Sequence, residues 1–483
     1  MSRSIVRTVE EHLPGELRYR VLPAHPGRHG QLLGGGSGRW GAVDGDDRRG
    51  RSGTSDVGGA GLWRKPSAVH DPAKVVLDLA VTLALGGDCL AYIALLRGEP
   101  GLYGPVASDA TVSRTITALA ADAPSVLAAI DTARAAGRAR AWKLAGAHAP
   151  NHVASSRAPV IVDLDATLVG SYSENELAAP TYKRGFGFHP LWSFVDHSSA
   201  GTGEPLSVLL RPGNAGSNTA TDHIAVIKAT LAQLPSHRRG RRAGRKVLIR
   251  TDGAGCTHKV LTWVSGQRLS SSVGFPLPYN TSELLELIPA DVWTPACDGH
   301  DQIRDGAWVA ELTDLLDLSG WPEGIRVIVR KERPHPGAQL RITEVDGHHI
   351  TAFATNTKTG GVTTQLPDLE LRHRRRARCE DRIRDSKDTG LMNLPLQGFA
   401  QNQIWCAIVA LAVEITAWMQ MLALNDHQAR RWEPKRLRLR LFTLPATIAR
   451  TGQQVRLHLA TKAPWAGLVN EAVNRLRVLT SPG

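Results

Sequence analysis

Hydrophobic and polar positions divide this chain into stretches of different texture. From Pro72 to about Leu96 apolar residues crowd together (PAKVVLDLAVTLALGGDCLAYIALL), interrupted at Gly86-Gly87. That pattern predicts two helices, the first capped by Asp71 with Pro72 at its first position. PVASDATVSRTITALAA predicts a further short helix, capped by Ser108 or Asp109 and bearing Thr111, Ser113, Arg114 and Thr117. A run of short helices with a polar, Arg-bearing last member suits a helix-turn-helix DNA reader and an ordinary helical bundle equally well.

From Pro159 the texture turns to β. PVIVDLDATLVG, GFGFHPLWSFVDH and EPLSVLLRPGN are three apolar runs parted by Gly and Pro turns. They predict an antiparallel meander. NTATDHIAVIKATLAQL is an amphipathic helix, with Thr219 and Asp222 spaced as a capping box. VLIRTDGAG is a buried strand ending in Asp252. Strands followed by strand–helix alternation predict an α/β fold, a mixed sheet with helices packed on it. Residues 291–369 alternate β-rich runs with turns, Asp346-Gly347 among them, and read as a β-rich insertion. Beyond Pro367 the chain is helical and basic. Ile404 to Leu424 has membrane-spanning length, but Glu414 at its centre would cost about 3 kcal/mol in a bilayer. A helix buried in a globular core is the expectation.

Composition sharpens this picture in three places. Lys and Arg number 58 against 45 Asp and Glu, a net charge of +13, which favours a polyanionic partner. Residues 31–62, dominated by Gly, Ser, Asp and Arg, lack apolar periodicity and read as a tail or linker. The five cysteines form no CxxC pair and suit reduced thiols in a cytosol. The first thirty residues carry Glu10, Glu11, Arg18 and Arg20 and no apolar core, so no signal peptide is expected.

Three acids stand out as chemistry. Asp163 and Asp165 share one face of an apolar strand, where ionised carboxylates are costly unless paired or metal-bound. Asp252 stands at the end of another apolar strand, where a side chain meets the open end of a sheet. Glu380 lies in RHRRRARCEDRIRDSK. On one continuous helix, His373, Arg376, Glu380 and Lys387 fall within an arc of about 60°, with Arg384 beside them. Such a face would set a metal-binding carboxylate among cations that grip phosphate oxygens. The bland alternative is a solvated charged face.

In combination these motifs resemble bacterial insertion-sequence transposases of the DDE superfamily, more narrowly the insertion-sequence-1380 family. The wider group carries a Tyr-x2-Arg-x3-Glu-x6-Lys signature. Here His373, Arg376, Glu380 and Lys387 keep that spacing, with His in place of Tyr. DLDATLVGS matches the first-acid segment and RTDGAG the second, with further likeness in HDPAKVVLDLAVTLALGGDCL, YKRGFGFHPL, RPGNAGSNTATDH and RKERPHPGAQL. The likeness runs from about residue 68 to the C-terminus, and residues 1–67 depart from it. It implies a ribonuclease-H-like mixed-sheet catalytic domain interrupted by a β-rich insertion and preceded by a helical DNA-binding domain. The implied divisions are 1–67 atypical, 68–150 helical and DNA-binding, 151–290 catalytic core, 291–369 insertion, 370–425 catalytic helices and 426–483 a basic tail.

The resemblance also implies chemistry. Asp165, Asp252 and Glu380 would hold two Mg²⁺ (or Mn²⁺) ions, with Asp165 bridging them. Arg376 and Lys387 would grip phosphates, assisted by His373, with Arg384 alongside. Water would nick the element end, the freed 3′-hydroxyl would attack target DNA, and the excised end would pass through a hairpin. The implied partners are terminal inverted repeats and target DNA, bound by a homodimer in the cytoplasm at the nucleoid, with no membrane. Two alternatives are a ribonuclease-H-like nuclease that cuts without joining and an inactive or domesticated DNA-binding relic.

Overall fold

The computed structural model describes residues 63–64, 67–172, 174–235, 242–334, 344–345, 347–451, 454–460 and 462–480. The Gly- and Ser-rich 31–62 stretch lies outside the described residues, as do the middle of the basic loop after the amphipathic helix and Asp346.

Residues 72–148 are helical. Helix α1 (Pro72–Ala84) begins as its sequence dictates, with the Asp71 carboxylate accepting from the Ala73 N–H. Two single turns follow, α2 (Ala94–Arg97) and α3 (Pro100–Tyr103). Helix α4 (Asp109–Ala120) is capped by Ser108, and α5 (Ala123–Ala145) leaves it at a bend of 105°.

A large mixed sheet makes the protein α/β. Strand β1 (Val160–Ala166) is followed by a small separate sheet of β2 (Val169–Gly170), β3 (Ala179–Pro180) and β4 (Phe186–Phe188), in the order β2-β4-β3. The main sheet resumes with β5 (Leu191–Val195) and β6 (Glu204–Leu209), which complete an antiparallel meander with β1. Helix α6 (Ala220–Gln233) leads to β7 (Val247–Thr251), parallel to β1. Helix α7 (His258–Gly266) leads to β8 (Ser270–Phe275), parallel to β7.

The β-rich stretch builds no sheet of its own. After α8 (Thr281–Glu286) come β9 (Thr294–Cys297), β10 (Ile303–Glu311), β11 (Arg326–Glu332), β12 (Glu344–Val345) and β13 (His348–Thr355). β13 pairs antiparallel with β8, so the strand order runs β6-β5-β1-β7-β8-β13-β11-β10-β9 in one sheet. Trp293 and Trp321 pack against the core of this half. Trp321 stacks on His258 at 4.0 Å, and the Lys331 ammonium lies 4.0 Å from the Trp293 ring.

Helix α9 (Leu366–Arg374) packs on β9, β10 and β11, and α10 (Arg378–Ser386) and α11 (Phe399–Ala423) return to the first half of the sheet. α11 is the apolar run of membrane-spanning length, and 83% of its apolar window is buried by the rest of the protein. It packs on α1, α5 and β6. Glu414, fully buried at its centre, is met by Arg134 and Arg138 of α5; Arg134 Nη2 donates to Oε1 at 2.7 Å. Arg138 also faces the buried Glu204 of β6, at 3.5 Å. Four charges that no sequence pattern linked therefore join three elements. Charges this deep persist only when paired.

Candidate active site

The register of two parallel strands sets the site. β1 and β7 pair from Val160 with Val247 through Leu164 with Thr251. The next residues, Asp165 and Asp252, leave neighbouring strands at the same end. Asp165 is partly buried; its Oδ1 accepts from the Ala166 N–H at 2.9 Å and its Oδ2 from Arg376 Nη1 at 3.1 Å. Asp252 caps the short turn 253–255, accepting from the Ala254 N–H at 3.0 Å. Burial lifts the Asp165 pKa above the usual carboxylate range, and the neighbouring Asp252 charge adds to the lift, while Arg376 opposes both. The shift is mainly that of a carboxylate taken out of water, with the second acid adding to it.

Asp163, on the same face of β1, stands apart from that pair. It is wholly buried and accepts from Arg250 Nε at 2.5 Å, Arg250 Nη2 at 2.9 Å and Arg382 Nη1 at 2.5 Å. Asp196, just past β5, binds the same two arginines, Arg250 at 2.9 Å and Arg382 at 2.6 Å. Against the cost of burial, Arg382, Arg250 and Arg378 hold the Asp196 carboxyl down at about 2. Two acids and two arginines thus bolt α10 to the sheet beneath the site. Arg250 also donates to the Arg372 carbonyl, fixing the end of α9. Sequence reasoning missed Arg250, Asp196 and Arg382. A signal existed for the first: Asp163 and Arg250 are opposite charges within two apolar strands, and they are direct partners across β1 and β7.

The basic segment is not one helix. After α9 the chain makes a 3-10 turn, Arg375–Ala377, before α10, and at Lys387 it enters a π turn that contains the left-handed Gly390. The 100° wheel that put five side chains on one face therefore does not hold across residues 373–387. A 3-10 turn advances by three residues where an α turn takes 3.6, so side chains beyond it lose the earlier phase. Arg376 reaches Asp165, as described. His373 turns to the sheet instead: its Nδ1 lies 2.9 Å from Ser272 Oγ and its ring stacks on Phe353 at 4.5 Å. Burial, then the cations Arg250, Arg376, Arg330 and Arg372, lower its pKa to about 3, which keeps the ring neutral. Arg384 is exposed and pairs with Asp381 at 2.7 Å. Lys387 is half-buried at the far end of α10.

Glu380 is exposed on α10, which packs on β1, and its neighbour Cys379 is buried beside Asp163 and Asp165. The structure thus brings Asp165 and Asp252 together under Arg376 and leaves Glu380 outside that pair. Among the described residues, no three His, Cys, Asp or Glu side chains converge tightly enough to cage a metal ion. The Asp165–Asp252 pair nonetheless fits a hard divalent cation in its donor chemistry. It offers carboxylate oxygens whose repulsion a cation would relieve, and Mg²⁺ takes one or two carboxylates and fills the rest of its shell with water and phosphate oxygen.

Two strand-end carboxylates thus lie beneath an arginine of the basic segment. Residues 60–481 match the family described as transposase DDE domain group 1, and the chain belongs to that family. No curated protein matches it. A solved structure, the cryo-EM structure of a piggyBac transposase synaptic complex with hairpin DNA, is similar at a TM-score of 0.39 and 10% identity. The likeness covers 78% of this chain and 73% of that one.

Proposed function

We propose that this chain is the DNA transposase of an insertion sequence, of the insertion-sequence-1380 kind. It cuts element ends at phosphodiester bonds and joins the freed 3′-hydroxyl to target DNA. The observation that carries this reading is the pairing of Asp165 with Asp252 at adjacent strand ends under Arg376, in a member of the DDE transposase family. The order β6-β5-β1-β7-β8, three strands antiparallel and two parallel, supports a ribonuclease-H-like core. The strands from β9 to β13 are its insertion, and α1 to α5 its DNA-binding helices. The protein works on double-stranded terminal repeats and target DNA as a homodimer at the nucleoid.

Asp165 and Asp252 would hold divalent ions, Mg²⁺ or Mn²⁺, with Glu380 of α10 as the third ligand once DNA is bound. When bound, such ions neutralise charge developing on the attacking and leaving oxygens of the phosphodiester. Arg376 is the counter-ion of Asp165 in the free protein and grips a backbone phosphate when DNA arrives. Lys387 holds a second phosphate. His373, neutral and stacked, positions the start of this segment against β8 and β13. The four-charge cluster around Asp163 keeps α10 at a fixed height over the strand ends, so that Glu380 approaches from a rigid support.

The test is cleavage of an element-end duplex in Mg²⁺. Asp165→Asn, Asp252→Asn and Glu380→Gln each abolish nicking while DNA binding is retained. Undiminished nicking by all three variants would refute the site. The exposure of Glu380 favours one second reading, a DNA-binding relic without cleavage; a wild-type protein that binds element ends and never nicks them would establish it. A pre-nicked end separates joining from cutting alone.

A further inference from the structure

The small sheet after β1 stands directly beyond the acid-bearing strand end. Only Thr167 and Leu168 separate β1 from β2. The hairpin of β3 and β4 is anchored by close backbone approach. A Cβ on Gly187, at φ +149°, would lie 2.1 Å from the Val169 carbonyl oxygen, and one on Gly213 would lie 2.3 Å from that of Ala179. The turn itself is closed by the Thr181 N–H donating to the Gly185 carbonyl at 2.9 Å and the Arg184 N–H to the Thr181 carbonyl at 3.0 Å. Arg184 occupies left-handed backbone, φ 59°, where glycine is favoured. The turn thus carries a cation at a position that resists side chains.

What the turn presents is aromatic and basic. Tyr182 is 70% exposed, and Tyr172, just past β2, is 82% exposed. The Lys183 ammonium lies 5.8 Å from the centroid of the Tyr182 ring. Near the strand ends Arg250, Arg376, Arg382 and Arg384 all have carboxylate partners. Among the described residues Lys183 and Arg184 have none in ion-pair contact. Cations gathered without acids form an anion-attracting surface.

We propose that the hairpin 179–188 is a second DNA-contacting surface that takes unpaired nucleotides at a DNA end. Lys183 and Arg184 hold phosphates and the exposed Tyr182 ring stacks a base. This rests on the reading of the chain as a transposase acting on DNA ends. An exposed aromatic ring beside cations binds single-stranded nucleic acid without sequence preference, because every base has a π-face. A duplex keeps its bases stacked inside and offers Tyr182 only backbone, so the surface discriminates frayed or nicked ends from intact helix.

The test measures binding of the full chain, with chelator present to prevent cleavage, to a blunt duplex and to the same duplex with a short single-stranded overhang. The wild type prefers the overhang. Lys183→Ala/Arg184→Ala lowers the salt slope of binding by about 1.4–1.8, the loss of two phosphate contacts. Tyr182→Ala cuts the overhang preference roughly 5- to 150-fold at an unchanged slope, and Tyr182→Phe retains the preference. All these side chains are on the surface, and equal unfolding midpoints confirm intact variants. An unchanged slope in the double variant, or an unchanged preference in Tyr182→Ala, overturns the proposal. If the wild type binds neither DNA, the transposase reading fails as well; if it binds both and the variants match it, the hairpin proposal alone fails.

Discussion

Asp163 and Asp165 occupy the same face of one strand, two residues apart, in opposite surroundings. Asp163, in the middle of β1, is sealed from water and saturated by Arg250 and Arg382. Asp165, at the strand end, meets one arginine and a second acid and remains partly open to solvent. The middle of the strand spends its carboxylate on holding helix to sheet. The end leaves its carboxylate under-neutralised, and so able to take up another cation. The difference teaches that alternation along a strand identifies a face but not a role; the role follows from the charge that the neighbouring elements supply.

Five changes break or sharpen this contrast. The largest effects come from the pair itself. Asp163→Ala leaves two buried guanidiniums short of a partner and destabilises the fold by about 3–5 kcal/mol in denaturant unfolding. Asp165→Asn leaves stability nearly unchanged and lowers the nicking rate by a factor of about 1000 or more, roughly 4 kcal/mol of barrier. If the two variants behaved alike in both assays, the contrast would be lost.

Asp385 extends the comparison to α10, as a buried carboxylate with no compensating cation in contact. Its Oδ1 accepts no hydrogen bond among the described residues, and burial first, then Glu433, Asp381 and Asp388, lift its pKa to about 7 against the opposing pull of Arg384. That value lies above the ordinary 3.8, so between these limits the folded protein keeps a proton that the unfolded chain has lost. Stability contributed by this group therefore falls as pH rises from about 4 to 7. Asp385→Asn flattens that slope and raises stability at pH 8 by on the order of 3 kcal/mol, read from unfolding curves across the range. Asp196 works in the other sense. Its pKa of about 2 contributes stability above the ordinary 3.8, which is lost as pH falls toward 2.

Arg376→Ala tests the open end of the strand from the cation side. It lowers the salt slope of binding to element-end DNA by about 0.9, one phosphate contact. The smallest effect belongs to Arg384→Ala. Its exposed pair with Asp381 is worth at most about 0.5 kcal/mol of stability.

The acids at the strand ends were legible because a charge that closes an apolar run has few structural uses. The β1-β5-β6 meander was legible for a related reason: each of its strands is an apolar run closed off by Gly and Pro turns, whereas the small sheet between β1 and β5 left no such pattern. The continuity of the sheet from β8 into β13 was not. Those strands pair across about 80 residues of intervening chain, and their register comes from packing rather than local pattern. The single helical face from His373 to Lys387 failed at Arg375–Ala377, where a run of arginines with no helix breaker gave no warning of a tighter turn. Lys183 and Arg184 entered only within the likeness of YKRGFGFHPL, because the sequence does not show that they crown an exposed turn beside the acid-bearing strand end.

The lock formed by Arg134, Arg138, Glu204 and Glu414 has a consequence for biosynthesis. Glu414 lies 280 residues beyond Arg134. At about 5–20 residues per second, a ribosome needs roughly 15–55 seconds to deliver the partner that those arginines await. Until then Arg134 and Arg138 have only Asp131 and Glu204 to meet them, and a truncated product ending before Glu414 never closes the lock.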